Sequence, residues 1–379
     1  MVSSSVGRLT PGARQWLGWI ALAGAGWVAL ARIAACSVQE SQLLTAKSSS
    51  GVAGGAGAGV QVGGDTGGCP VRLVGWAAVN ADGVPTTTGG GNATPQRVTS
   101  LEELRALAGD ATPRVIELSG TITTGSDNVG IASNKMLVGV DRNATIEGGI
   151  TMNGASNVIV RNLNIHGAGD GNTPVDAIGV RDSHHIWFDH LSVWDGPDGN
   201  LDITSGSTHV TVSWTRFWYS DPEHSHRQSC LVGASSSEVD VDTGKNNVTF
   251  HHNWFAELVD QRMPRLLFGQ GHVFNSYYNS VGNSACISVG SFASGLIENN
   301  HFEDVDDPHL FADENPSQIT AIGNHYSNVT GRLDRGQNGQ GGQGGAAVEI
   351  TPFTVPPYSY TLDDAEDVAD IVTRCAGPQ

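Results

Sequence analysis

Charge is scarce in this chain. Only 15% of its 379 residues are Asp, Glu, Lys or Arg, while Gly reaches 50 residues. That balance disfavours a helical bundle and suits an all-β fold with many turns. Basic residues are the scarcer sign, 20 Lys and Arg against 38 Asp and Glu, for a formal charge of −18. Nucleic acid is therefore not expected as a partner, because that contact needs clustered cations. An acidic polymer remains compatible, provided that local basic side chains or a metal offset repulsion from the rest of the molecule. The apolar run from Trp16 to Ala31 falls short of the roughly 20 residues of a membrane span. Hydrophobic residues still make up 39% of the chain, enough for a sizeable core.

The N-terminus reads as an export signal. Arg8 and Arg14 precede the apolar run, and Ile33, Ala34 and Ala35 lead to Cys36. A bacterial lipoprotein signal has this shape, with Cys36 lipidated and the protein held at the cell surface by that anchor. Arg32, between the apolar run and the cleavage site, departs from the pattern, so lipidation and ordinary cleavage to a secreted protein both stay open. The expected organisation is a signal over 1–36, a Ser, Gly and Ala-rich tether over 37–66 and one folded domain over 67–379. Four cysteines follow Cys36. Cys69 and Cys375, near the two ends of the domain, could close a disulfide in an oxidising compartment. Cys230 and Cys286 sit in apolar runs and read equally well as buried thiols.

Ser100 and Glu103 form a capping box that starts a short helix through Leu107. Beyond it, short β-branched and aromatic runs recur: NVIVRNLNI at 157, HIWFDHLSV at 185, HVTVSWTRF at 209, NVTFHHNWF at 247, HVFNSYYNS at 272, GLIENNHFE at 295 and QITAIGNHY at 318. Their starts lie 28, 24, 38, 25, 23 and 23 residues apart. A period of this size is the mark of a solenoid, each turn a rung of several short strands. Asn and His within the runs fit polar stacks at rung corners. A β-sandwich, with strands every 8 to 12 residues, is the alternative. The 38-residue gap implies a long loop over 220–244. A Gly-rich stretch over 336–345 follows the last run, and an acidic amphipathic helix is expected over 363–372, in a C-terminal segment packed on the side of the solenoid.

Three acidic positions stand out: Asp176 in VDAIGV, and Asp198 and Asp202 in DGNLDIT. Hard oxygen ligands without Cys or His point to Ca²⁺ rather than a transition metal. If the rungs align, stacking brings the three carboxylates to one patch; the competing reading is that they cap turns, as most Asp-Gly pairs do. Arg262 and Arg265 follow one or two rungs later, either as a solvated face or as groups that meet an anionic substrate. Trp187 and Trp254 read as core or stacked residues, and His190, His251 and His252 as rung-stack residues. Trp218 is the better candidate for a cleft aromatic.

Taken in order, several motifs resemble the pectate lyase family: DAIGV at 176–180, IWFDH at 186–190, DGNLDI at 198–203, VTVSW at 210–214, VTFHHNWF at 248–255, and Arg262-x-Pro264 followed by Phe268-Gly269 and His272-Val273. GWAAVN at 75–80 and PYSYTLDDA at 357–365 extend the similarity over most of the domain. The resemblance implies a right-handed parallel β-helix and Ca²⁺ held by Asp176, Asp198 and Asp202. It also implies Arg262 as the base that takes the C5 proton of a galacturonate unit in a β-elimination. The expected partner is polygalacturonate or partly methylated pectin, with the protein working as a monomer. The sequence departs from the family pattern twice. Leu267 stands where a second arginine is usual, and Gln228 where a lysine is common. Arg227 and Arg265 are the cations left to bind substrate, though neither is in register with the family residue. A non-catalytic β-helix that binds pectin at the cell surface is the alternative; keeping all three aspartates together with Arg262 argues against it. Polygalacturonase motifs of the Asn-Thr-Asp and Gly-His-Gly type do not occur.

Overall fold

The β-branched and aromatic runs become strands that stack rung upon rung. The computed structural model describes residues 68–379 except 126, 168–174 and 339–348. The expected signal over 1–36 and tether over 37–66 lie outside the described residues, as does most of the Gly-rich stretch. Among the described residues, strands form three sheets of eleven, eight and nine members. Neighbours in each sheet come from successive turns of the chain, for example Ser156–Arg161 beside His184–Asp189 beside Thr208–Ser213, all parallel. One antiparallel pairing, Ser317–Ile322 with Gly336–Asn338, ends the eleven-stranded sheet. The chain is a right-handed parallel β-helix, the hand that consecutive parallel crossovers adopt.

Alternating side chains fill the interior. Ile186, Val210, Val248 and Val273 pack from one sheet, Ile178, Leu201 and Ile287 from another. Phe217, Phe255, Tyr278, Phe302 and Tyr326 stack along the axis with centroid spacings of 5.4, 4.9, 4.5 and 5.4 Å. Each such contact contributes about 0.5–1.5 kcal/mol beyond burial.

The recurring Asn and His residues owe their positions to backbone geometry. The same corner of successive rungs is occupied by Asn162, His190, Trp214, His252, Asn275 and Asn299, all in the left-handed region with φ between 46° and 57°. Asn and His tolerate that region better than most residues. Their side chains then bond along the axis: Asn275 Nδ2 donates to the Asn299 carbonyl at 3.0 Å, and Trp214 stacks on His252 at 4.2 Å.

Two runs of rungs precede Asn157 that the pattern at 157–318 did not include, with strands Arg114–Leu118 and Lys135–Gly139 in the eleven-stranded sheet. The cap helix α1 spans Leu101–Ala108; Ser100 Oγ accepts from Glu103 N at 3.3 Å, while Glu103 reaches back one residue further than a standard box, to Thr99 N. The single long loop expected over 220–244 is two loops. Strand Cys230–Val232 divides them and completes the rung, because its apolar residues can enter the core. The second loop carries α2, Val239–Asp242. The C-terminal helix α3 lies later than expected, at Val368–Cys375. Asp363 lies outside the helix instead: its N–H donates to Asn275 Oδ1, its carbonyl accepts from Asn275 and Asn299, and its carboxylate meets His252. α3 docks on Tyr277 through Val368 and Val372, and the Cys69–Cys375 disulfide ties it to the N-terminal strap. Cys230 and Cys286 are buried free thiols.

Candidate active site

The eight-stranded sheet carries the predicted site. Ile178, Val180, Leu201, Ile203, Cys230, Val232 and Leu266 point into the core, so the residues between them face outward. Gly179, Asp202, Leu231 and Arg265 are register partners on four successive strands and form one outward row, the floor. Three residues earlier on each rung lies a parallel lip. There Ala177 N donates to the Gly199 carbonyl, Asn200 N to the Gln228 carbonyl, and Cys230 N to the Arg262 carbonyl. Asp176, Gly199 and Gln228 thus follow one another along the axis, with Asp198 beside Gly199; on the next rung Gln261 pairs with Gln228, and Arg262 lies one residue further on, beside Ser229.

Gly199 keeps the space between the carboxylates open. A Cβ built there would stand 3.2 Å from Asp176 Oδ1, 3.6 Å from Asp202 Oδ1 and 3.6 Å from the Gln228 carbonyl oxygen. Asp176 is 7% exposed, and its Oδ1 is buried without a hydrogen-bond partner. Burial pushes the Asp176 carboxyl up to about 8, helped by the negative charges of Asp202 and Asp198 and opposed by Arg181 and Arg262. Asp202 is pushed up to about 7, again mainly by burial, with Arg262 the strongest opposing charge. Two carboxyls driven toward protonation around a small gap lack positive charge. An orphaned buried carboxylate oxygen, a cradle that a single methyl would fill and an all-oxygen donor set fit a hard divalent cation. Among the described residues no three or more acidic, His or Cys side chains are gathered closely enough to hold a metal ion by themselves.

Arg262 adopts a left-handed backbone, φ 61°, and its Nε is buried without a partner. Arg265, in the floor row, has its guanidinium pushed down first by burial and then by the charge of Arg262, against Asp313. The Arg227 carbonyl accepts from Asp260 N at 2.7 Å, and the Arg227 charge is felt at His224. Gln228 does lie on the lip, whereas Leu267 is only 2% exposed. Trp218 is not in the cleft. It stands on the nine-stranded sheet, stacked on Trp194 at 5.2 Å, with the Arg216 guanidinium 4.8 Å from its ring centroid. Two participants escaped the sequence reading, Gly199 and Arg181. Arg181 was legible in principle, since outward alternation from Gly179 places it on the same face.

A carboxylate cluster and arginines on the outer face of one sheet of a right-handed parallel β-helix define a class, the β-helical polysaccharide lyases. A pectate lyase family model matches residues 28–377. The chain is 33% identical over 323 residues to the pectate trisaccharide-lyase of Bacillus licheniformis, covering 80% of this chain and 86% of that one. It is 35% identical over 311 residues to pectate lyase A of Aspergillus niger, again covering 80% and 86%. Among solved structures, pectate lyase II from Xanthomonas campestris superposes with a TM-score of 0.65 at 25% identity, covering 81% of this chain and 98% of that one. The chain belongs to the pectate lyase family and is a polysaccharide lyase.

Proposed function

We propose that the protein is an exported, Ca²⁺-dependent lyase that cleaves α-1,4-linked galacturonan by β-elimination and leaves a 4,5-unsaturated end. The observation that carries this reading is the open gap at Gly199, lined by Asp176 and Asp202, with Arg262 two rungs on and its charge acting on both carboxyls. A structure of a pectate lyase from Bacillus sp. N165, which shares this fold, is described as a complex with trigalacturonate.

Asp176, Asp198 and Asp202 would hold the cation, which supplies positive charge to the substrate carboxylate and so stabilises the enolate-like transition state. Arg262 takes the proton from C5; the C5–H electron pair forms the C4–C5 double bond and the C4–O bond breaks, its oxygen leaving and taking a proton from water. A guanidinium is ordinarily a poor base. Its cationic neighbour is Arg265, whose own guanidinium is pushed down by burial and then by the charge of Arg262. Arg265 also stands two rungs beyond Asp202 in the floor row, where it can meet a substrate carboxylate. With Gln228 and Leu267 in place of cations, partly methylated pectin is a substrate alongside polygalacturonate. The Cys69–Cys375 disulfide supports an oxidising, extracytoplasmic location.

The test is incubation with polygalacturonate and with pectins of low and high methylation, followed by the ultraviolet absorbance of unsaturated products. Product should form with Ca²⁺, stop with a chelator and resume when Ca²⁺ is restored. No product from any of these polymers would leave a non-catalytic binding role, and chelator-resistant product would remove the metal from the mechanism.

A further inference from the structure

A second outward row crosses the site sheet two residues beyond the floor. It runs through Asn153, Arg181 and Thr204, which are register partners, and on toward Gly233 and Leu267. The far end of this row is roofed. The loop carrying α2 folds over it, with Asp242 Oδ1 accepting from Gly206 N at 2.7 Å and Asn246 Nδ2 donating to the Leu267 carbonyl at 3.2 Å. A Cβ on Gly233 would come within 2.9 Å of Leu267 Cβ. Thr204 and Leu267 are buried in consequence, at 5% and 2% exposure. A cation at position 267 would be shut away from the cleft.

Arg181 lies at the open end of the same row. It is exposed, while Ile178 and Val180 on either side of Gly179 are in the core, so its side chain leaves the outer face of the sheet. Its charge is felt by both Asp176 and Asp202, and among the described residues no carboxylate is in ion-pair contact with it. Arg181 and Arg265 therefore flank Asp202, one rung before it and two rungs after it, with Arg181 on the rung of Asp176. Three rungs separate the two arginines, roughly 14 Å at the ~4.8 Å spacing of neighbouring strands.

We propose that Arg181 grips a carboxylate of the acidic polysaccharide on the side of Asp202 opposite Arg265, replacing the grip that Gln228 and Leu267 do not provide. The inference rests on the lyase reading for the identity of the polymer. It makes Arg181 a specificity-determining residue whose contribution depends on the length of the substrate: an oligomer must present carboxylates about three rungs apart to engage both arginines.

The experiment pairs binding with turnover. Binding of tri- and hexagalacturonate is measured by calorimetry with Ca²⁺ in an Arg262→Lys background, with and without Arg181→Gln or Arg181→Lys. Initial rates on polygalacturonate are measured with the Arg181 substitutions alone. Arg181→Gln should weaken hexagalacturonate binding and raise KM by about tenfold, the scale of one charge-assisted contact, with a smaller effect on kcat. The effect on trigalacturonate should be smaller, Lys should recover part of the loss, and Ca²⁺ affinity should not fall, since a neighbouring cation has been removed. Unchanged hexagalacturonate affinity and KM in Arg181→Gln would overturn the proposal. Weakened Ca²⁺ binding, or a fall in kcat alone, would also overturn it, by showing that Arg181 acts through the aspartates. If the unsubstituted protein binds hexagalacturonate through Arg181 yet forms no unsaturated product, the lyase reading fails and the carboxylate grip stands.

Discussion

Asp176 and Asp202 direct their Oδ1 atoms at one bare stretch of backbone, at 3.2 and 3.6 Å from where a methyl group on Gly199 would stand. The glycine is there for space, since its φ is not in the left-handed region. Gly199→Ala should therefore weaken Ca²⁺ binding by about 10–100-fold, the usual cost of disturbing the surroundings of metal ligands. It should leave the melting temperature in chelator close to that of the parent. Calorimetric titration with Ca²⁺ measures the first and thermal melting the second; undiminished affinity would mean that the cation sits elsewhere.

Arg262→Lys separates chemistry from binding. Lysine keeps a positive charge but loses the planar fork and the reach of the guanidinium, so Ca²⁺ affinity and melting should be preserved. If Arg262 is the base, kcat should drop by at least about 10²-fold, the lower end for loss of a general base, with KM much less affected. Near-parental turnover would assign the proton transfer to another group.

Much of this arrangement was legible before the fold was known, for a physical reason. In a solenoid the repeat converts sequence distance into stacking, so a period near 24 residues placed Asp176, Asp198 and Asp202 on neighbouring rungs. What the period does not encode is where a rung bulges. Cys230–Val232 is short, and only its place between Leu201–Thr204 and Arg265–Leu267 identifies it as a rung strand. Trp218 looked like a cleft residue because tryptophan near carboxylates suggests sugar stacking; its strand belongs to another face of the helix, with its ring stacked on Trp194. Asp363 is acidic and helix-compatible, yet bonds to Asn275, Asn299 and His252 keep it out of the helix. Alternation from Gly179 puts Arg181 on the outer face, but nothing in its sequence neighbourhood shows that the α2 loop roofs Leu267 and leaves Arg181 open.

Acid sensitivity should come partly from His209. Burial and the nearby His185, stacked at 4.9 Å, hold its imidazole down to about 4. A depressed histidine is neutral in the fold, so its stability is intact above about 6.5, the unfolded value, and is lost as pH falls from there toward about 4. The loss reaches about 3 kcal/mol at the bottom of that window. His209→Asn, which tolerates the left-handed φ of 54°, should flatten the fall in urea midpoint between pH 6.5 and 4. An unchanged slope would place the acid-sensitive group elsewhere, His309 being the next buried imidazole held down to about 4.

Asn300 tests whether the polar ladders hold the rungs together or merely occupy the corners. It is fully buried. Its Oδ1 accepts from Ser276 N at 2.9 Å, its Nδ2 donates to the Val273 carbonyl at 3.0 Å, and Asn324 Oδ1 receives both its backbone N–H and its side-chain amide. One side chain therefore satisfies groups on the rung before it and is itself satisfied by the rung after. Asn300→Leu, close in volume, strands the Ser276 N–H in a dry interior, at a cost of about 1–3 kcal/mol for that donor alone. Asn324→Leu removes the acceptor that serves the buried Asn300 N–H and side-chain amide, so it should cost a comparable amount. Urea unfolding of the two variants measures both. If neither variant lost stability, the ladder would contribute nothing and the apolar stack of Phe217, Phe255, Tyr278 and Phe302 would carry the cohesion between rungs.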